Sequence, residues 1–478
     1  MNDKIQDTYF LNAQVALEEA NKENKLYIHN VIESTQICYY NGEKLENAPY
    51  NCINVPVKDL VEYFSTTKNR VPTNIEIRNS SLKIEEIPAL KNYFIQYINA
   101  AKQKMNSNII EISNKIKELK PNFNEKRLRV YISTCRETTT MQYMSLTIAE
   151  TFKSLGYDVF VTTQEHDIQA CTILEGFKNI LEFNPHIIFT INHIYSHFFN
   201  DNIFNFIWFQ DPMPVLVNNA PIVLKNRDYI FSLVKEFDEY LNKKDVSYMR
   251  QSFCLNDKVY KKYKNIKREK KIVFIGSSYY RFRESRDLEE KVYLYIEKLF
   301  TQGISFSESV IDEISIKFNI TRLDLDSRII PYVVRDMSVR WLCSIDTDYK
   351  IELYGWGWDM YEETKEYYKG SLSYGEEISK VYNSATYVFS PHQKYLLQQR
   401  VFEGAGSGAI PILYDIKDIT DEDNYNEAFI YFRTKSDLKN ILNKKEPVKK
   451  NLSRLLNENT YSAFVNKMIK IVNENKND

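Results

Sequence analysis

The chain has 478 residues, 43% of them hydrophobic and 27% charged, which suits two or three globular cores and excludes a disordered chain. Its 63 Lys and Arg nearly cancel its 64 Asp and Glu, so no global charge draws it to nucleic acid or to an anionic membrane. No apolar run reaches the roughly 18 residues of a membrane span, and six scattered cysteines (Cys38, Cys52, Cys135, Cys171, Cys254, Cys343) without a CxxC exclude a disulfide framework or zinc knuckle.

In chain order, residues 1–125 read as a mixed α/β accessory domain. Its first residues are polar and lack the apolar core of a secretory leader, so a cytoplasmic protein is expected. Helical character is expected over 6–24 and over 84–120, where Leu90, Tyr93, Phe94, Tyr97 and Ile98 recur at helical spacing. Between them 25–32 and 36–41 read as short strands, with Asn41-Gly42 as a turn. No chemistry-bearing pattern appears here, and Pro121-Asn122-Phe123-Asn124 closes the region.

A second pattern fills 126–260. Strand 127–133, polar loop 134–140, amphipathic helix 141–155, Gly156 and strand 158–161 form a βαβ unit, hence a parallel sheet with a right-handed crossover. Helix 170–184 and strands 186–190, 205–209 and 229–232 extend it into one Rossmann-like lobe.

The pattern restarts over 261–478. Strand 271–275 ends in Gly276-Ser277-Ser278, followed by Arg281, Arg283 and Arg286. A helical stretch over 288–343 precedes a strand and glycine corner at 351–358, helix 376–383 and strand 386–390. Then come the helix holding Arg400 and Glu403, the corner Gly404-Ala405-Gly406-Ser407-Gly408, and strands 409–413 and 429–432. A helical tail covers 453–475. The expected architecture is α/β: two Rossmann-like lobes facing a cleft, plus the accessory domain.

In open α/β sheets ligands sit at the carboxyl ends of the strands. The second lobe is expected to place four corners there: Gly276-Ser277-Ser278, Gly355-Trp356-Gly357, Ser390-Pro391-His392 and Gly406-Ser407-Gly408. Their backbone amides, and the N-terminus of a helix after His392, suit a diphosphate. Arg281, Arg283 or Arg286 would oppose its charge, or merely solvate a helix. Glu403 is an acceptor-only group matched to a ribose diol, or a local partner of Arg400. The glycine cluster follows a helix instead of opening one, so it is no dinucleotide fingerprint, and there is no P-loop.

Asp324-Leu325-Asp326 and Asp346-Thr347-Asp348 read as solvated surface, and His193…His197 lacks the glutamate of a zinc helix, so no metal is expected. His193, Asp211 in Trp208-Phe209-Gln210-Asp211-Pro212, and Glu137 are the candidate general bases at the strand ends of the first lobe.

The second lobe resembles the CgeB-like, spore-maturation-associated glycosyltransferases of the GT-B fold. The carriers are Phe274-Ile275-Gly276-Ser277, Leu353-Tyr354-Gly355-Trp356-Gly357-Trp358, Gly370-Ser371-Leu372-Ser373-Tyr374 with Val381-Tyr382-Asn383-Ser384-Ala385, Arg400-Val401-Phe402-Glu403, and Asn459-Thr460-Tyr461. Tyr395 stands where many related GT-B enzymes carry a second glutamate. The first lobe is similar only loosely, through Trp208–Pro212.

The resemblance implies transfer of a sugar from a nucleotide sugar to a hydroxyl of a protein or glycan, at a cell surface or appendage, with neither metal nor further cofactor. It implies Tyr354 or Trp356 against the base, Glu403 on the ribose, and the diphosphate on Gly276, Ser277 and the His392–Gln393 amides with Arg281 or Arg283. Arg400 belongs to the same motif. An inverting enzyme would add Asp211, His193 or Glu137 as base, whereas a retaining one needs none. The alternatives are a non-catalytic binding or assembly protein on a degenerate GT-B fold, with 1–125 as its working surface, and an epimerase of that fold.

Overall fold

The structure is a computed structural model that describes residues 6–22, 25–28, 32–77, 87–135, 139–170, 172–283, 290–420, 425–444 and 446–476. It divides into two compact units, one of residues 1–232, 236–250 and 468–478, the other of 233–235 and 251–467.

The first unit opens with a strand, Thr8–Phe10, where a helix from residue 6 was expected. Thr-Tyr-Phe is buried at every position, and its partners lie far along the chain, so sheet pairing overrides the helical look of the window. The helix starts late, at Ala13–Ala20, because Asn12 accepts hydrogen bonds from the N–H groups of Gln14 and Val15. The strands run Cys52–Asn54, Cys38–Tyr40, Thr8–Phe10, Asn74–Glu76 across a parallel sheet. Tyr9, Tyr39, Leu60, Phe64 and Phe94 form its core against helices Leu60–Thr66 and Ile87–Lys117.

The same unit holds a six-stranded parallel sheet in the order Met249–Arg250, Asp228–Ser232, Phe204–Phe209, Ile187–Ile191, Arg129–Ser133, Asp158–Thr162. Ile187–Ile191 and Phe204–Phe209 are buried throughout, as strands covered on both faces must be. The strand order reverses between Arg129–Ser133 and Ile187–Ile191, which makes their carboxyl ends a switch point.

The second unit is built on a five-stranded parallel sheet, ordered Lys350–Tyr354, Glu269–Ile275, Ala385–Ser390, Ile410–Tyr414, Ile430–Phe432. Its switch point lies between Glu269–Ile275 and Ala385–Ser390. The stretch expected as helical before residue 343 is several helices: Glu290–Thr301, Glu308–Phe318, and a run from Arg322 that widens to a π turn at Leu325–Ile329 before Ile330–Cys343.

One corner is not where it was expected. Helix Gln399–Gly406 carries the chain back from the carboxyl edge of the sheet, so Gly406-Ser407-Gly408 opens strand Ile410–Tyr414 at the opposite, amino edge. There Arg268 donates to the Ser407 carbonyl at 2.9 Å. The helix glycines serve packing: a Cβ on Gly404 would lie 2.6 Å from Val388 of the neighbouring strand.

Candidate functional site

Around the second unit's switch point the first two strands stay joined beyond their ends. The Gly276 N–H donates to the Tyr354 carbonyl and the Ser278 N–H to the Trp356 carbonyl, both at 2.8 Å. Trp358 Nε1 donates to the Gly276 carbonyl at 2.7 Å. Gly355, at φ +116°, lies so close that a Cβ on it would meet the Gly276 backbone at 2.5 Å. Gly355→Ala therefore combines backbone strain with overpacking and is expected to cost about 2–5 kcal/mol, read as a lowered denaturant midpoint. Fusing the two corners has a chemical consequence: the amides of Gly276 and Ser278 are already committed.

Tyr279 N–H is committed too. It donates at 3.0 Å to Asp336, which also accepts from Ser278 Oγ (2.9 Å) and Tyr361 Oη (2.8 Å). Burial pushes this carboxyl up to about 6 despite those bonds. Asp336 pins the corner to helix Ile330–Cys343.

With the amides of Gly276, Ser278 and Tyr279 spent, two guanidinium groups supply unpartnered donors at the site. Arg400, in the first turn of helix Gln399–Gly406, lies over the Phe274 ring at 4.8 Å. Its Nη2 is 3.1 Å from where a Gly276 side chain would begin, and its buried Nη1 has no hydrogen-bond partner. Arg335, one residue before Asp336, lies over Tyr279 at 4.3 Å, and its Nη1 is 3.4 Å from the Ser277 carbonyl. Its buried Nε also lacks a partner. Burial, and then the Arg335 charge, lower Arg400 to about 10. Two cations so close are unfavourable unless an anion joins them.

His392 is half-buried at the end of strand Ala385–Ser390. Burial foremost, then Arg335, Arg400 and Lys394, hold its imidazole well below the ordinary range, so it is neutral near pH 7. Its Nδ1 accepts from the N–H groups of Lys394 (3.1 Å) and Tyr395 (3.0 Å). No helix follows it directly, contrary to expectation: the next begins at Gln399. Gln393 is buried and its Oε1 has no partner.

Glu403 is 4% exposed, and the Arg400 charge acts on it only as a lesser influence, behind burial and its hydrogen bonds from Tyr374 and Gln399. It accepts from Tyr374 Oη at 2.7 Å and Gln399 Nε2 at 3.2 Å, and burial pushes it up to about 7. Trp356 is 44% exposed beside Ser277, whose Oγ accepts its N–H at 3.2 Å. Tyr354 is half-buried and donates to Glu352 at 3.0 Å. Arg281 is exposed on the short helix Tyr280–Arg283. The Arg283 side chain and Arg286 lie outside the described residues.

In the first unit Asn192, at φ +65°, sits after strand Ile187–Ile191. Its Oδ1 accepts from the N–H groups of Gln210 (2.7 Å) and Asp211 (3.1 Å), and its Nδ2 donates to Asp211 Oδ2 at 2.6 Å. Asp211 is exposed at the surface, yet the protein around it raises its pKa against that hydrogen bond. His193, next to Asn192, is exposed, with its ring against Tyr195 at 5.8 Å. His193 and His197 do not share a helix, since only Ser196–Phe198 forms a short turn. Glu137 lies outside the described residues.

The structure thus brings Arg400 and His392 to the Gly276-Ser277 corner, and Asp211 and His193 to neighbouring strand ends. It adds Arg335, Asp336 and Asn192, which sequence reasoning missed. An Arg-Asp pair inside the apolar run Val333, Val334, Val339 was the available signal for the first two. Among the described residues no group of three or more His, Cys, Asp or Glu is placed to hold a metal, and no helix is long and apolar enough to cross a membrane. Asp326 pairs with Lys394 at 2.6 Å and Asp348 with Lys270 at 3.0 Å.

Residues 335–470 match the family profile described as "Glycosyl transferase-like", so the chain carries a glycosyltransferase-like domain over less than a third of its length. That segment begins at Arg335 and includes His392, Arg400 and Glu403. No curated protein matches the chain. Among solved structures it is similar to AviGT4, a glycosyltransferase involved in avilamycin A biosynthesis, at 9% identity, covering 72% of this chain and 96% of that one, with a TM-score of 0.41. A sucrose-phosphate synthase from Thermosynechococcus elongatus is similar at 11% identity, 71% and 92% coverage and a TM-score of 0.39. WaaG, a glycosyltransferase involved in lipopolysaccharide biosynthesis, is similar at 9% identity, 73% and 95% coverage and a TM-score of 0.37. The two Rossmann-like units rest on the parallel sheets described above.

Proposed function

We propose that the chain is a glycosyltransferase that takes its sugar from a nucleotide-sugar donor, with the donor held in the second unit. The observation that carries this is the pair Arg335 and Arg400, each with a buried guanidinium nitrogen lacking a partner, at the switch point where an open α/β sheet binds ligands. A diphosphate supplies the missing anion, and the planar forks suit its oxygens. The Gln393 amide adds a polar group beside them. As the glycosidic bond breaks, negative charge gathers on the departing diphosphate, and fixed cations already in place stabilise it without reorganisation. Glu403 is assigned to the ribose and exposed Trp356 to the base.

For the acceptor hydroxyl, Asp211 and His193 remain the candidate bases. Asp211 is the better placed, because Asn192 fixes its carboxylate while its surroundings raise its proton affinity. The CgeB-like subtype, a cell-surface or appendage acceptor and a cytoplasmic site of action belong to the same reading, on the resemblance of the second unit's motifs.

The test is thermal unfolding with UDP, GDP, dTDP and CMP and with sugars linked to them. At least one diphosphate is expected to raise the midpoint, since a ligand bound only to the native state stabilises it by mass action. No shift with any of them would sink the donor assignment and favour a binding protein on this fold.

A further inference from the structure

A second, polar pocket lies in the first unit at the carboxyl end of the edge strand Asp158–Thr162. It is a cavity of about 150 Å³, whose walls include Lys68, Phe160, Thr163, Gln164, Glu175 and Asn179. We propose that it binds a saccharide residue of the acceptor, a reading that rests on the transferase activity proposed above.

The lining decides the class of ligand. One cation, Lys68, faces two carboxylates, Glu165 and Glu175, which disfavours an anion such as phosphate. Lys68 is also engaged, pairing with Glu175 at 2.7 Å, so the pocket is no simple cation site either. Amide, hydroxyl and carboxylate groups line it too densely for an apolar guest. What remains is a neutral molecule rich in hydroxyls. Such a ligand also has an apolar C–H face, and Phe160, 40% exposed, supplies an aromatic surface to receive it. At about 30 Å³ per water the volume holds roughly five waters, which limits the guest to a single ring.

The walls are pre-set. Asn179 Nδ2 donates to Thr162 Oγ1 at 2.9 Å, and Tyr131 Oη donates to the same oxygen at 2.8 Å. Gln169 Oε1 accepts the Glu165 N–H at 2.8 Å. Thr163 Oγ1, by contrast, is buried and has no hydrogen-bond partner, a cost that a ligand hydroxyl would remove.

The pocket stands apart from the candidate bases. Across the order Asp158–Thr162, Arg129–Ser133, Ile187–Ile191, Phe204–Phe209 it is three strand spacings from the strand before Asp211, about 14 Å. It therefore takes a sugar further along the acceptor than the one that reacts. Lys68 comes from the N-terminal region, which gives that region a part in acceptor choice: it closes one wall of the pocket.

The experiment is ligand-observed saturation-transfer NMR on the full chain with glucose, galactose, mannose and N-acetylglucosamine at millimolar concentration. At least one is expected to bind saturably. Phe160→Ser removes an exposed ring and Thr163→Val removes only the unpartnered hydroxyl, so the latter leaves folding intact. Each is expected to weaken binding by about tenfold, while diphosphate-induced thermal shifts stay at wild-type size. The proposal is overturned if no saccharide binds, or if both variants bind as the wild type does. Saccharide binding without any nucleotide response would leave the pocket standing and defeat the donor reading; the reverse result would defeat the pocket alone.

Discussion

Arg335→Ala is expected to weaken binding of a nucleoside diphosphate by about 10–100-fold, the loss of one charged hydrogen-bonding partner at about 1.5–3 kcal/mol. The same substitution should leave the unfolding temperature of the ligand-free protein unchanged or higher. The opposite signs come from one arrangement. Arg335 is among the charges that lower Arg400, so in the empty site each guanidinium pays for the other's presence. Removing one relieves that repulsion. What is lost is a stack on Tyr279 at 4.3 Å, a marginal 3.4 Å contact with the Ser277 carbonyl and the least of the influences that favour the Asp336 carboxylate, together worth about 1 kcal/mol. Arg335→Lys keeps the charge without the planar fork and should fall between. Calorimetric titration with UDP or GDP, beside thermal unfolding, reads both quantities. A drop of several degrees with unchanged diphosphate affinity would make Arg335 a packing residue and leave Arg400 without its partner in the site.

The parallel sheets could be read in the sequence because strands covered on both faces are apolar runs set off by Gly, Pro and Asn. Strand 186–190 was expected and Ile187–Ile191 is found. Thr8–Phe10 could not be read this way: three residues carry no period, and what makes them a strand is Cys38–Tyr40 and Asn74–Glu76 on either side. The corner Gly406-Ser407-Gly408 holds a different lesson. A corner that precedes a strand lies at its amino end, so the order of elements already contradicted the site assigned to it. Arg400 was reachable through its motif. Arg335 could be marked only as a charge inside an apolar helical run, because a helical pattern shows which residues face inward but not which strand end they meet. That the amides of Gly276 and Ser278 are spent on Tyr354 and Trp356 is a property of geometry alone.

Glu403→Gln should separate stability from binding by pH. Burial holds the Glu403 proton up to about pH 7 against an ordinary value of 4.5. The folded state then binds this proton more tightly than the unfolded state, so its contribution to stability falls as pH rises from 4.5 to 7 and is flat above. Glutamine stays neutral and its Oε1 can still accept from Tyr374 and Gln399, so the variant lacks that slope. At pH 8 it should be more stable than wild type by at most roughly 3 kcal/mol. Donor affinity should move the other way. Only the ionised carboxylate is a pure acceptor for both ribose hydroxyls, so wild-type affinity for UDP or GDP should rise with pH through 7, and the variant should lose about tenfold at pH 8. The sharper readout is selectivity. Wild type should favour a ribonucleotide over its 2′,3′-dideoxy analogue, and Glu403→Gln should bind the two alike. Equal preference in the wild type would leave Glu403 as a buried acid held by tyrosine and glutamine, and would move the ribose elsewhere in the unit.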